Sequence, residues 1–335
     1  MKERNGLPTH EFAKPMSRFA EVHVLRAGWS LVWRRQRLLW WIYFVDLSLA
    51  FLATRPLVKA VRPILDNSLA ADQLYHRFDL GTLVDLLARP EINTHVLASA
   101  AVLAGAVFLV LMVLFTGGIL RVYHEDRTFT TGEFFGAGGQ FFWRFVRLVV
   151  FVLIVLVPVE LAERGFKAWS DSLSEHFAQP APSVVVNIAG RLVVLFLLMT
   201  VRLWFDMTEV EAVAEDAYAM RRSVVRAFRL TWNNLRSLFW LFLRPVLVAA
   251  LGTILFFSIW IRWVPHQAVT TSFFLSQAVI LLWIFTRLWQ RSSEVLWYQQ
   301  YAPAGSIVPA SPTREVESGK EPPPAPEAPP AEVSL

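Results

Sequence analysis

The sequence predicts an all-α integral membrane protein with six transmembrane helices. They form three parallel two-helix repeats, each led by an interfacial amphipathic helix, and a disordered Pro-rich tail follows. Three observations predict this. Of the 335 residues, 55% are hydrophobic and 18% charged. The apolar residues gather in six blocks of about 17 to 25, the length that crosses roughly 30 Å of hydrocarbon. Second, many of the fourteen Trp residues stand near the ends of those blocks, where amphipathic rings favour the headgroup level. Third, a Trp precedes an Arg by four positions at Trp33/Arg37, Trp143/Arg147 and Trp232/Arg236. These alternate with three exits, Arg121-Val122-Tyr123, Arg202-Leu203-Trp204 and Arg287-Leu288-Trp289.

Residues 1–17 read as a flexible, polar N-terminus, and 18–301 as the membrane domain. From 18 to 37 the pattern is helical. Leu25, Trp29 and Trp33 recur every fourth residue, with Arg26, Arg34, Arg35 and Arg37 as the polar side. Such a helix lies in the interface with its cations among anionic headgroups. The first span is 38–54, an uncleaved signal anchor, because no signal-peptide pattern precedes it. Residues 55–95 form the largest far-side loop, with short helical patterns at 63–74 and 80–87. The second span, 96–120, carries the small residues Ala98, Ala101 and Gly105, which predict close packing in the centre of the bundle.

A second lead-in opens at Thr130-Thr131-Gly132-Glu133, a capping box, and feeds the third span, 141–159. The fourth span is 188–207. A third lead-in opens at Thr208-Glu209-Val210-Glu211, the same capping pattern, and runs through Met220, Val224 and Phe228 to the fifth span, 238–263. The sixth span is 272–289. One small residue stands five positions before each elbow Trp: Gly28, Gly138 and Ala227. The tail, 302–335, holds Pro322-Pro323-Pro324 and Pro329-Pro330 among Glu, Ala and Ser. It lacks the apolar surface to fold and could dock a protein partner.

The net charge of +5 does not point to nucleic acid, because the cations flank membrane spans. Lys and Arg favour the N-terminus, the even-numbered connections and the tail, which places both termini in the cytoplasm. The expected location is a bacterial inner membrane. The absence of cysteine excludes disulfides and thiolate metal sites.

Intramembrane charge is the first place to look for function. Asp46 lies nine residues beyond Arg37 and Arg244 eight beyond Arg236, so repeat alignment sets both at one depth. The alignment predicts an Asp46/Arg244 ion pair, beside Pro245; the competing reading has Arg244 snorkelling to the headgroups. The elbow residues and the exit arginines Arg121, Arg202 and Arg287 read as interfacial anchors. His124-Glu125-Asp126 offers metal-capable groups, yet consecutive residues rarely converge on one ion. No catalytic motif, cofactor motif or metal-site spacing is present.

The elbows Phe134-Phe135-Gly136…Phe142-Trp143-Arg144 and Val224-Val225-Arg226…Thr231-Trp232-Asn233 resemble those of bacterial six-span proteins. These include the membrane domain found fused to glycerophosphodiester phosphodiesterases, and the likeness covers roughly residues 100–300. It implies a six-span fold and no activity, since nothing here matches a phosphodiesterase catalytic domain. The expected role is a non-enzymatic scaffold, assembly or lipid-engaging component. The alternative is a transporter built around Asp46 and Arg244.

Overall fold

The computed structural model describes residues 18–66, 81, 84, 94–176, 181–216, 220–265 and 268–301. The N-terminal segment, most of the far-side loop and the tail expected at 302–335 lie outside the described residues. The described residues form eight helices that follow in order: α1 Arg18–Arg34, α2 Gln36–Asp66, α3 Thr94–Glu125, α4 Thr131–His176, α5 Ala181–Ala214, α6 Met220–Asn233, α7 Leu235–Trp263 and α8 Val269–Tyr301. Six of them, α2, α3, α4, α5, α7 and α8, are long and apolar enough to cross a membrane. The chain is an all-helical, multipass membrane protein.

The helices outrun the spans read from hydropathy. α4 has 46 residues, about 69 Å at 1.5 Å per residue, and unites the second lead-in, the third span and part of the loop beyond it. The other two lead-ins are separate helices. α1 ends before Arg35 and α6 before Asn234, each two positions after its elbow Trp. At both breaks a polar side chain has business elsewhere. The Arg35 guanidinium donates to the Asp126 carbonyl at 2.6 Å, and the Asn234 amide donates to the Leu230 carbonyl at 3.0 Å, a local bond that competes with helix propagation. The equivalent residue in α4 is Phe145, an apolar side chain buried in the core, and the helix runs on.

Packing is concentrated at the end that carries the elbows. Nearly all buried side chains fall in 21–42, 115–148, 203–241 and 286–298. Toward the far ends the helices expose apolar side chains such as Leu103, Ile154, Leu192 and Leu251, the surface expected against lipid. The three returning helices α3, α5 and α8 touch one another pairwise, and each outgoing helix packs on its own return. Each lead-in also packs on the return helix of the preceding repeat: α4 on α3, α6 on α5, and α1 on α8. The last of these joins the start of the chain to its end.

Two expectations are corrected here. Among the described residues the small-residue face of α3 is not a packing surface: a Cβ at Gly105 would meet nothing within 4 Å, and Ala98 and Ala101 are exposed. α3 is central through Phe115, Leu120 and Tyr123 instead. The second capping pattern is not a helix start. Thr208 and Glu211 lie inside α5, where Val210, Ala212 and Val213 are buried in the core and keep the helix going. The Thr208 hydroxyl bonds back to the Trp204 carbonyl at 2.9 Å. The first capping box does form, with the Thr130 N–H donating to Glu133 at 2.8 Å and the Glu133 N–H to the Thr130 hydroxyl at 3.3 Å.

Candidate functional site

The three elbows share one pattern of exposure. Trp33, Trp143 and Trp232 are 64%, 69% and 62% exposed, and Arg37, Arg147 and Arg236 are exposed as well. The next residue turns inward each time, as Leu38, Leu148 and Ser237. Indole and guanidinium therefore point off the bundle while the following side chain fastens the helix to the core.

The exits also correspond. Val122, Leu203 and Leu288 are buried. The Trp204 indole N–H donates to the Val224 carbonyl on α6 at 2.8 Å, and the Trp289 N–H to the Leu25 carbonyl on α1 at 2.7 Å. Val224 and Leu25 both stand eight residues before their elbow Trp. At the third seam Tyr123 is buried with Phe134 in the apolar cluster and its hydroxyl has no hydrogen-bond partner among the described residues. Gly28 and Gly138 allow close approach: a Cβ at Gly28 would run into Ser293, and one at Gly138 would sit 2.5 Å from the Leu114 carbonyl.

Two aspartates clamp the elbows from the ends of the return helices. Asp126 and Asp216 take left-handed backbone angles, φ 42° and 46°, a conformation Asp tolerates better than most residues. Asp126 holds Arg34 at 3.1 Å and Arg35 at 3.3 Å. Asp216 holds Arg144 at 2.8 Å. Arg34 and Arg144 each follow the elbow Trp directly.

Sequence reasoning missed the densest polar cluster, which lies where α5 meets α8. Arg291 is 3.1 Å from Asp206, 2.6 Å from Glu209 and 3.5 Å from Glu294. Arg202 and Arg287, expected to be plain interfacial anchors, stand 3.6 Å and 3.7 Å from the same Asp206. Gln290 donates to Glu294 at 2.7 Å and to Asp206 at 3.3 Å. Three guanidiniums and three carboxylates thus gather around the buried Asp206 and Arg291, with Arg202 and Arg287 at the more exposed edge. A signal was present: Arg-x-x-x-Asp-x-x-Glu at 202–209 aligns with Arg-x-x-x-Arg-x-x-Glu at 287–294. The opposed charges at the middle position, Asp206 and Arg291, are the ones that meet. Arg121 keeps to its own helix, pairing with Glu125.

A second polar group flanks this one. Arg226 on α6 pairs with Glu215 and lies 3.3 Å from Glu211. Partial burial opposes its charge, but the hydrogen bond to Glu215 and the two carboxylates outweigh that and raise its pKa above the ordinary arginine value.

The expected Asp46/Arg244 pair does not form. Arg244 lies 3.4 Å from Glu21 on α1, while Asp46 has a buried carboxylate oxygen without a hydrogen-bond partner among the described residues. Equal position in two repeats gives equal depth, but it places the residues on different seams of the bundle. Arg244 faces the lead-in of the repeat after its own, which is α1 because the chain closes on itself. Snorkelling is not its arrangement either, since one of its terminal nitrogens is buried. His124, Glu125 and Asp126 diverge: His124 meets Gln299, Glu125 meets Arg121 and Arg127, and Asp126 meets Arg34 and Arg35.

No protein-family model matches this chain, and no curated protein or solved structure matches it either.

Proposed function

We propose that this chain is a non-enzymatic membrane component that engages the lipid surface through its three Trp/Arg elbows, with anionic headgroups as the counterpart. One observation carries this reading: the elbow Trp and Arg side chains are exposed alike in all three repeats, whereas Arg144, Arg226 and Arg291 at that end are held in internal pairs. α6 supports it further. One side buries Met220, Ser223, Ala227 and Thr231, a second exposes Val225, Phe228 and Trp232, and a third exposes Arg222 and Arg229. A helix with protein-facing, apolar and basic sectors suits the boundary between acyl chains and headgroups. On this reading the elbows face the cytoplasm of a bacterial inner membrane, the three lead-ins are copies of one interfacial unit, and the protein belongs beside the bacterial six-span group that its elbows resemble. The tail at 302–335 would serve a protein partner.

The test is thermal unfolding in nanodiscs of phosphatidylglycerol and of phosphatidylcholine. The anionic bilayer raises the melting temperature, the gain shrinks with salt, and combined Arg37→Gln, Arg147→Gln and Arg236→Gln abolishes it. An equal melting temperature in both lipids defeats the reading.

Asp46 favours a second reading, a transporter. A carboxylate with an unpartnered buried oxygen in a span is costly unless function retains it. Substrate-dependent stabilisation that is lost in Asp46→Asn would establish it over the first.

A further inference from the structure

The middle elbow differs from the other two in a way that makes a pocket. Its lead-in carries Gly132, Gly136 and Gly139 where the register of α1 and α6 has larger side chains, Arg26 opposite Gly136 and Trp29 and Phe228 opposite Gly139 among them, and a Cβ at any of these glycines would meet nothing within 4 Å. Between this glycine-rich stretch and the end of α3 lies an open cleft of about 240 Å³, floored by Gly136 and edged by Arg121, Glu125, Arg127, Glu133 and Gln140. An apolar pocket adjoins it between Trp41 and Ile42 of α2 and Phe135 of α4. Phe129 and Phe134 line both. The apolar pocket is shallow, about 20 Å³, but Trp41 and Phe135 at its rim are exposed, so a polar cleft opens beside an apolar surface with shared aromatic walls, the form of an amphiphile site.

The charges specify the headgroup. Arg121 and Arg127 each give their Nε to Glu125, which fixes both guanidiniums. Their terminal nitrogens have no other partner among the described residues, so they present fork-shaped donors of the kind that fit a phosphate. Glu133 uses one oxygen to cap Thr130 and stands exposed at the cleft. Two cations and two carboxylates sum to no net charge, so the cleft matches a headgroup that itself carries one charge of each sign. A primary ammonium can donate hydrogen bonds to Glu133; a quaternary ammonium cannot.

We propose that the cleft between α3 and α4 binds one zwitterionic phospholipid of the ethanolamine type, its phosphate on Arg121 and Arg127, its ammonium on Glu133, and an acyl chain against Trp41 and Phe135. This rests on the lipid-engaging reading and deepens it at one site.

The experiment is native mass spectrometry of the full chain in detergent, titrated in turn with phosphatidylethanolamine, phosphatidylcholine and phosphatidylglycerol. Wild type retains one phosphatidylethanolamine at least ten-fold more tightly than phosphatidylcholine. Gly136→Leu fills the cleft from an open helical position and weakens that binding at least ten-fold, while Gly165→Leu, equally open but elsewhere, leaves it unchanged. Glu133→Gln keeps the capping pattern and lowers phosphatidylethanolamine to the level of phosphatidylcholine. Equal retention of the two zwitterionic lipids by wild type overturns the proposal, as does tight binding that survives Gly136→Leu. The anionic-lipid response of the elbows is read separately. If it persists while Gly136→Leu has no effect, this site fails and the broader reading stands; if both vanish, both fail.

Discussion

Asp206 on α5 lies 3.1 Å from Arg291 on α8, both side chains nearly inaccessible to solvent. The pair joins the return helices of the second and third repeats, and Arg202 and Arg287 close on the same carboxylate. Without Asp206 three guanidiniums share one small volume. Asp206→Ala removes one of three carboxylates on the buried Arg291, which keeps Glu209 and Glu294, so it is expected to cost roughly 1.5–3 kcal/mol, the worth of a hydrogen bond to a charged group. Arg202→Gln, which removes a half-exposed partner at 3.6 Å, should cost under about 1 kcal/mol. Thermal unfolding followed by tryptophan fluorescence in detergent measures both, and equal losses would refute the buried network as a structural centre.

The matched bonds from Trp204 to Val224 and from Trp289 to Leu25 predict matched losses. Trp204→Phe and Trp289→Phe should each lose about 0.5–1.5 kcal/mol in hydrogen bonding, besides any loss from the smaller ring. Tyr123→Phe at the third seam removes a buried hydroxyl that has no partner, so its effect should be neutral or stabilising. Chemical unfolding of the three variants side by side is the measurement; a clear destabilisation by Tyr123→Phe would contradict the apolar third seam.

Three glycines in helices separate packing from propensity. Gly105→Ala meets open space and gains up to about 1 kcal/mol of helix propensity. Gly138→Ala drives a methyl to 2.5 Å from the Leu114 carbonyl, and Gly28→Ala collides with Ser293. Overpacking of this kind costs about 1–3 kcal/mol. The melting temperature should rise for the first variant and fall for the other two.

Arg244 provides a double-mutant cycle. Glu21→Gln and Arg244→Gln should be coupled, because the side chains lie 3.4 Å apart. Asp46→Asn and Arg244→Gln should add to within about 0.3–0.5 kcal/mol, as for sites with no shared partner. Coupling between Asp46 and Arg244 would restore the pairing that repeat alignment suggests.

The elbows were legible in the sequence because membrane boundaries impose local chemistry. An exposed Trp and an Arg one turn later need no distant residue to explain them. The same holds for the Thr130/Glu133 capping box, which is closed within four residues. Thr208/Glu211 has the same letters and fails as a helix start, because buried neighbours on α5 outweigh a cap worth about 1 kcal/mol. Asp206 and Arg291 were hidden for the opposite reason. Asp206 sits at the last turn of the fourth span and Arg291 just beyond the sixth, where charge reads as boundary surface until a second helix covers it.

From the residues alone come the membrane class, the six long helices, and the positions of the Trp/Arg elbows whose side chains the structure leaves exposed. Hydrophobic length and boundary composition are properties of single segments, so one segment suffices to read them. Which charges pair, which glycines are crowded and which lie open, and where the first helix meets the last depend on segments up to 264 residues apart, as in the bond from Trp289 to Leu25. Depth along a helix follows from counting residues. The direction a side chain faces around the bundle follows only from the packing of the other helices, and that is why Arg244 meets Glu21 and not Asp46.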